Sequence, residues 1–350
     1  MSAAGASKDA AAEADRFTGA PHPREPRALL GHDAAQALVR EAFEAGRLPH
    51  ALLLGGPEGI GKASLAYRIA RFVLAGGQAP AGTLDVPADH PASRQVAAQS
   101  HPDLMVLRRT PGEGGKLPSM IPAEQVRRVR GFFGSTAALG GWRVCIVDTL
   151  DEMNAQGANA LLKTLEEPPE RALFLLVSHA PGRLLPTIRS RCRLLALRAL
   201  STPQLGEVLR DLAAHMPGLD AGRIEEAAAL AGGSVREALA LLGGDGLETR
   251  RATQALLDRL PQPDPKALHA LGERLQGDRG GALAGFTQTV EGWIADHATG
   301  RRARPGLSLA RLPEVWEKVR RAAVDAEVYN LDRKTLVFRI FASLDEALRP

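Results

Sequence analysis

Five short apolar runs constrain the first two hundred residues more than any other feature. They are ALLL at 51–54, DLMVL at 103–107, RVCIVD at 143–148, ALFLLVS at 172–178 and RLLAL at 193–197. They are near-continuous rather than alternating, so each reads as a strand buried on both faces. Between them the periodicity is helical. Leu65, Ile69, Phe72 and Val73 mark one face of a helix over 64–74. Near-continuous strands separated by helices predict an α/β domain whose parallel sheet is covered on both sides.

After about Ala199 the strand-like runs largely stop. Two or three short amphipathic helices, broken at MPG and AGGS, fill 201–243, and GGDGLETR at 243–250 reads as a hinge. The remainder is helical apart from LPQPDP at 260–265 and a loop near Pro305. A chain of 350 residues exceeds one ordinary domain. The pattern divides it into a polar tail over 1–25, an α/β domain over 26–199, a small helical unit over 200–247 and a larger helical unit over 248–350. The tail has no apolar core flanked by positive charge, which speaks against a secretory signal. No apolar run approaches the ~18 residues of a membrane span, so no membrane partner is expected.

The turn between the first strand and the first helix carries the chemistry. GGPEGIGKAS at 55–64 contains Gly56, Gly59, Gly61 and Lys62 in the G-x-x-x-x-G-K spacing of a phosphate loop. Such glycines let backbone N–H groups turn toward phosphate, and the following helix N-terminus adds its dipole. Lys62 is placed to reach the β- and γ-phosphates. The next residue, where a hydroxyl normally holds Mg²⁺, is Ala63, with Ser64 one position late. Hydrolysis also needs an acid at a strand end and a carboxylate that orients water. RVCIVD supplies Asp148, but the residue after it, where additional-strand P-loop ATPases carry Glu, is Thr149. Asp151 and Glu152 lie farther on and read as a solvated turn. ATP or ADP is therefore a candidate ligand for binding without turnover, with Mg²⁺ only as its companion.

Cys145 and Cys192 are too few for a disulfide framework, form no C-x-x-C, and read as small buried hydrophobes. A net charge of +4 is compatible with nucleic acid without requiring it. EQVRRVRGFF at 124–133 puts Arg127, Arg128 and Arg130 on a helix, read as a solvated face, with Phe132 and Phe133 packing inward.

Two further segments are more specific than the loop. NALLKTLEEPP at 159–169 and LLPTIRSRC at 184–192, with GGSVREAL at 232–239 and LPHALLLGGPEGIGK at 48–62, resemble the bacterial clamp-loader subunits of the AAA+ family over roughly 26–245. The resemblance implies a P-loop AAA+ domain, a helical lid and an all-helical collar. It makes Arg191, in Ser-Arg-Cys, an arginine finger offered in trans to a neighbour's ATP, with Arg189 the lesser candidate. It makes Arg236 a second-sensor arginine toward γ-phosphate. Motor subunits of that family carry Thr after the loop Lys, an Asp-Glu pair and four zinc-binding cysteines. Ala63, Thr149 and the absence of cysteine over 75–100 depart from each, so no zinc is expected, His90 and His101 alone being too few. These departures point to a stator rather than a motor. By resemblance its partners are gamma/tau and delta subunits in a hetero-pentamer, with the sliding clamp and primed DNA met through that complex. The setting is cytoplasmic, at the nucleoid-associated replication fork of a DNA polymerase III holoenzyme. A gamma/tau-type motor, or more remotely a small-molecule P-loop kinase, stays open.

Overall fold

The computed structural model describes residue 17 and residues 20–111, 117–134, 136–216, 219–277, 282–300, 311–328 and 331–348. Most of the expected tail and the loop near Pro305 lie outside the described residues. Two compact units are distinguished, residues 1–217 with 232–236, and residues 218–231 with 237–350.

The first unit runs α1 (Asp33–Glu44), β1 (Ala51–Gly55), α2 (Lys62–Leu74), α3 (Pro91–Ala97), β2 (Leu104–Arg108), α4 (Ala123–Gly134) and β3 (Arg143–Asp148). It continues with α5 (Ala155–Glu166), β4 (Ala172–Ser178), α6 (Pro186–Arg189), β5 (Arg193–Ala196) and α7 (Thr202–Ala213). Each of the five apolar runs is a strand. All pair in parallel, in the order β2-β3-β4-β1-β5. β4 is thus inserted between the strand leading to the phosphate loop and the strand ending at Asp148, the additional-strand arrangement of AAA+ domains.

Alternation along the strands sends side chains to two cores. Leu52, Leu54, Val144, Ile146, Leu173 and Leu175 pack with Leu65, Ile69 and Phe72 of α2. Leu53, Cys145, Val147, Phe174 and Leu176 pack with Val129 and Phe133 of α4 and Leu161 and Leu165 of α5. Every residue of β1, β3 and β4 is buried, which is why their sequences show no polar alternation. Each large apolar side chain removed from water in this way contributes roughly 1.5–3 kcal/mol. The carboxyl ends of β1, β3 and β4 then share one edge, the place where parallel α/β sheets receive ligands.

Residues 20–25, assigned to the tail by composition, instead pack. Ala20 and His22 are buried, the Arg24 guanidinium donates to the Ala97 carbonyl at 3.0 Å, and the Arg71 guanidinium donates to the Arg24 carbonyl at 2.9 Å. Short polar segments like this are held by side chains elsewhere in the chain, which local composition does not register. On α4, Arg127, Arg128 and Arg130 are exposed and Phe133 is buried against Phe174, ring centres 4.7 Å apart. Burial raises the Cys145 thiol to about 12 and the Cys192 thiol to about 11, so both remain protonated apolar groups at neutral pH.

The helical part comprises α8 (Ala221–Leu230), α9 (Val235–Leu242), α10 (Gly246–Asp258), α11 (Pro265–Gly277), α12 (Ala282–Ala298), α13 (Leu312–Val328) and α14 (Arg333–Leu348). Leu336, Val337, Ile340, Phe341 and Leu344 form the buried stripe of α14, meeting Leu271 and Leu275 of α11 in one core with Phe286 and Val290 of α12. Of the hinge expected at 243–250, the turn is confined to 243–245. α10 begins at Gly246, and Leu247 and Thr249 are fully buried. A Cβ on Gly246 would sit 2.5 Å from the Ala240 carbonyl oxygen, so this glycine permits close packing rather than motion. Among the described residues, no helix is long and apolar enough to cross a membrane.

Candidate functional site

The loop joining β1 to α2 is held by its own chain. The Val235 N–H donates to the Gly59 carbonyl at 2.8 Å, His32 Nε2 lies 2.8 Å from the Ile60 carbonyl oxygen, and the Leu197 N–H donates to the Gly55 carbonyl at 2.7 Å. Gly59 has φ of 76°, and a Cβ there would lie 2.7 Å from Arg236 Cβ. A Cβ on Gly56 would meet the Leu197 carbonyl oxygen at 2.4 Å. These two glycines are therefore required by close approach as well as by the turn.

Lys62, the first residue of α2, is buried, and its amine donates to the Gly56 carbonyl at 2.7 Å and to the Pro57 carbonyl. Burial lowers its pKa to about 8, against the pull of Glu58, then of Asp148 and Asp151. The expected pair Lys62 and Asp148 thus share one field, Asp148 at the buried end of β3. Ala63 is the second residue of α2. Ser64, half-buried, is turned about 100° round the helix from it and does not replace the missing hydroxyl. The loop glycines, Lys62 and the α2 N-terminus fit nucleotide phosphates in chemical type, whereas the position for a metal-holding hydroxyl does not.

The two carboxylates after Thr149 are hydrogen-bonded within the chain, with Asp151 exposed as expected and Glu152 half-buried. Asp151 accepts from Ser178 Oγ at 3.0 Å, from the His179 N–H at 2.7 Å and from the Ala180 N–H at 3.2 Å. Both of its oxygens are spent in shaping the turn after β4. Glu152 pairs with Arg109 at 2.6 Å; burial raises its pKa and Arg109 opposes that rise. Thr149 is buried.

The Arg236 Nε lies 3.3 Å from Glu58 Oε1, a carboxylate of the loop itself. His179, the residue after β4, belongs to the same cluster. Burial lowers its pKa, as does the charge on Lys62, while Glu58 and Asp151 oppose the shift. Sequence reasoning passed over Glu58 and His179. Glu58 was visible inside the loop motif. His179 becomes a neighbour of Lys62 only through insertion of β4 beside β1.

Arg191 lies just past α6, half-buried. Its guanidinium donates to the Thr187 carbonyl at 2.9 Å and pairs with Glu166 Oε1 at 2.8 Å. Glu166 is the last residue of α5, which Asn154 caps at its start and Pro168 and Pro169 follow. The two most specific motifs therefore meet at an ion pair that neither shows alone. Arg189 bonds the Gly182 carbonyl and is exposed.

His90 caps α3 by accepting from the Ala92 N–H, and buried His101 accepts from the Asp103 N–H. Among the described residues, no group of three or more His, Cys, Asp or Glu is arranged to hold a metal.

Residues 31–201 match the family described as DNA polymerase III, delta subunit. A relative from Pseudomonas aeruginosa strain PAO1, DNA polymerase III subunit delta′, is 41% identical over 197 residues, 56% of this chain and 57% of that protein. The Escherichia coli K12 subunit delta′ is 38% identical over 154 residues, 44% of this chain and 43% of that protein. A Mycobacterium tuberculosis H37Rv subunit gamma/tau is 33% identical over 163 residues, 47% of this chain and 27% of that protein. The chain spans about half the length of the curated delta′ relatives it matches. The matched region holds the phosphate loop, Asp148, β4 and Arg191, and over it, just under half of its length, the chain is similar to the delta-prime subunits of DNA polymerase III.

Proposed function

We propose that this chain is the stator subunit of a bacterial clamp loader. In that role it does not hydrolyse ATP and offers Arg191 in trans to the ATP held by a gamma/tau-type neighbour. The observation that carries the reading is Asp151. It is the first carboxylate after Thr149 at the end of β3, and it is consumed by the turn after β4. With Ala63 and Thr149, this leaves the site without a metal-holding hydroxyl and without the carboxylate after Asp148 that would orient water.

When nucleotide is held here, its phosphates supply negative charge for Lys62, the α2 N-terminus and Arg236 to bind, and Mg²⁺ accompanies it without a hydroxyl at Ala63. Arg191 acts elsewhere. A guanidinium carries five donors in a rigid fork and keeps its charge, which suits it to the equatorial oxygens of a transferring phosphoryl group. The unit over 26–199 would present Arg191, with 200–247 as lid and 248–350 as the collar joining gamma/tau and delta subunits in a cytoplasmic pentamer. The sliding clamp and primed DNA would be met through that complex.

The test is hydrolysis by the isolated chain and by the reconstituted loader. Negligible turnover alone is expected, together with loss of DNA-stimulated ATPase on Arg191→Ala while assembly is retained. Turnover above ~1 s⁻¹ by the isolated chain, abolished by Lys62→Ala, would instead identify a motor.

A further inference from the structure

We propose that Glu58 is a built-in phosphate surrogate: its carboxylate engages Arg236 and opposes entry of a nucleotide's phosphates, so that this residue sets how tightly the loop binds nucleotide. The inference rests on the loop being a phosphate cradle, as proposed above, and names what regulates it.

Three observations converge on Glu58. It sits between Gly56 and Gly59, on the stretch whose backbone would wrap a phosphate. It holds Arg236, the only arginine among the described residues paired with a carboxylate of the loop, at 3.3 Å. It also acts on the buried Lys62 amine more strongly than Asp148 or Asp151 does, although Asp148 ends the neighbouring strand. Arg236 is therefore already paired with this carboxylate, and Lys62 lies within its field.

The backbone reinforces this arrangement. The Gly59 carbonyl accepts from Val235, the residue before Arg236, so the loop and the arginine's own segment are joined at a main-chain bond. A Cβ at Gly59 would lie 2.2 Å from Ser234 Oγ, which shows how closely the two segments approach. Glu58 and Arg236 are half or more exposed, so their pair is exchangeable with a competing anion rather than locked. A triphosphate entering the loop takes over the donors of Arg236 and Lys62, and the displaced carboxylate is left beside like charge. The cost falls on the nucleotide.

Glu58→Gln removes the charge and keeps the shape and an acceptor for Arg236. Isothermal titration of the full chain with MgADP, and separately with a non-hydrolysable ATP analogue, reads the effect. At least fivefold tighter binding is expected for Glu58→Gln. No change is expected for Glu124→Gln on α4, which alters net charge equally but lies outside the loop. Lys62→Ala added to Glu58→Gln abolishes the gain. Unchanged or weaker binding by Glu58→Gln, including no binding by either protein, overturns the proposal. So does equal tightening by Glu124→Gln. The stator reading fails by a different measurement, Lys62-dependent turnover, so the two can fall independently.

Discussion

The phosphate loop and the Arg191 edge lie in the same unit and face opposite demands. At the loop, each group that would act on phosphate is engaged within the chain: Lys62 with the Gly56 and Pro57 carbonyls, Arg236 with Glu58, Asp151 with the turn after β4. At the edge, Arg191 has one carbonyl and one half-exposed carboxylate, both beside solvent. A half-exposed ion pair contributes about 0–1 kcal/mol and exchanges readily, whereas buried donors on backbone carbonyls do not. The difference is that the Lys62 amine is held in the interior, while Arg191, like the more exposed Arg236–Glu58 pair, stays exchangeable.

The largest effect expected is on the edge. On the proposed function, Arg191→Ala should reduce hydrolysis at a neighbouring subunit's ATP by on the order of 10³–10⁵, with assembly unchanged by size-exclusion. Equal loss in Arg189→Ala would move the finger. At the loop, Ala63→Thr with Thr149→Glu should still give negligible turnover by the isolated chain, because Glu58 still opposes entry of the nucleotide's phosphates. Recovery of turnover above ~1 s⁻¹ would show the loop to be closed by two residues only.

Next in size, Gly59→Val should destabilise the first unit by about 2–4 kcal/mol, read in thermal unfolding, since the residue has positive φ and meets Arg236 Cβ. Lys62→Met should act in the opposite sense. The folded pKa of about 8 lies below the ordinary value of 10.5, so protonation of Lys62 opposes folding. That penalty is fully present below pH 8 and fades as pH rises toward 10.5. Lys62→Met should therefore raise the Tm by a few degrees at pH 7, with the gain shrinking by pH 10. A gain that grows with pH would contradict the burial assigned to this amine. The smallest effect is expected for Glu166→Gln, at most about 1 kcal/mol in stability and less than fivefold in the loader's ATPase. A loss as large as that of Arg191→Ala would make the ion pair obligatory.

Much of the architecture was legible in the sequence because it follows from periodicity. Five near-continuous apolar runs have one stable use, a covered parallel sheet, and the glycine spacing after the first names the loop. The helices broken at MPG and AGGS appear as α7, α8 and α9. Residues 20–25 and 246–250 were misread for one reason. Their polar or glycine-rich composition resembles free chain, but Arg71 ties down the first and close packing against Ala240 fixes the second.

The sequence by itself determined which groups the loop and the end of β3 do not carry, since Ala63 and Thr149 are facts of residue type that no packing changes. Only the tertiary structure decided which charges meet. Glu58 finds Arg236, Asp151 finds the turn after β4, and Glu166 finds Arg191. Each pairing spans 25 or more positions of sequence, and periodicity is silent at that range. Asp151 meets its partners because β4 enters the sheet beside β3. That insertion brings the strand ends, their turns and the loop to one edge, where charges a few Å apart select their partners.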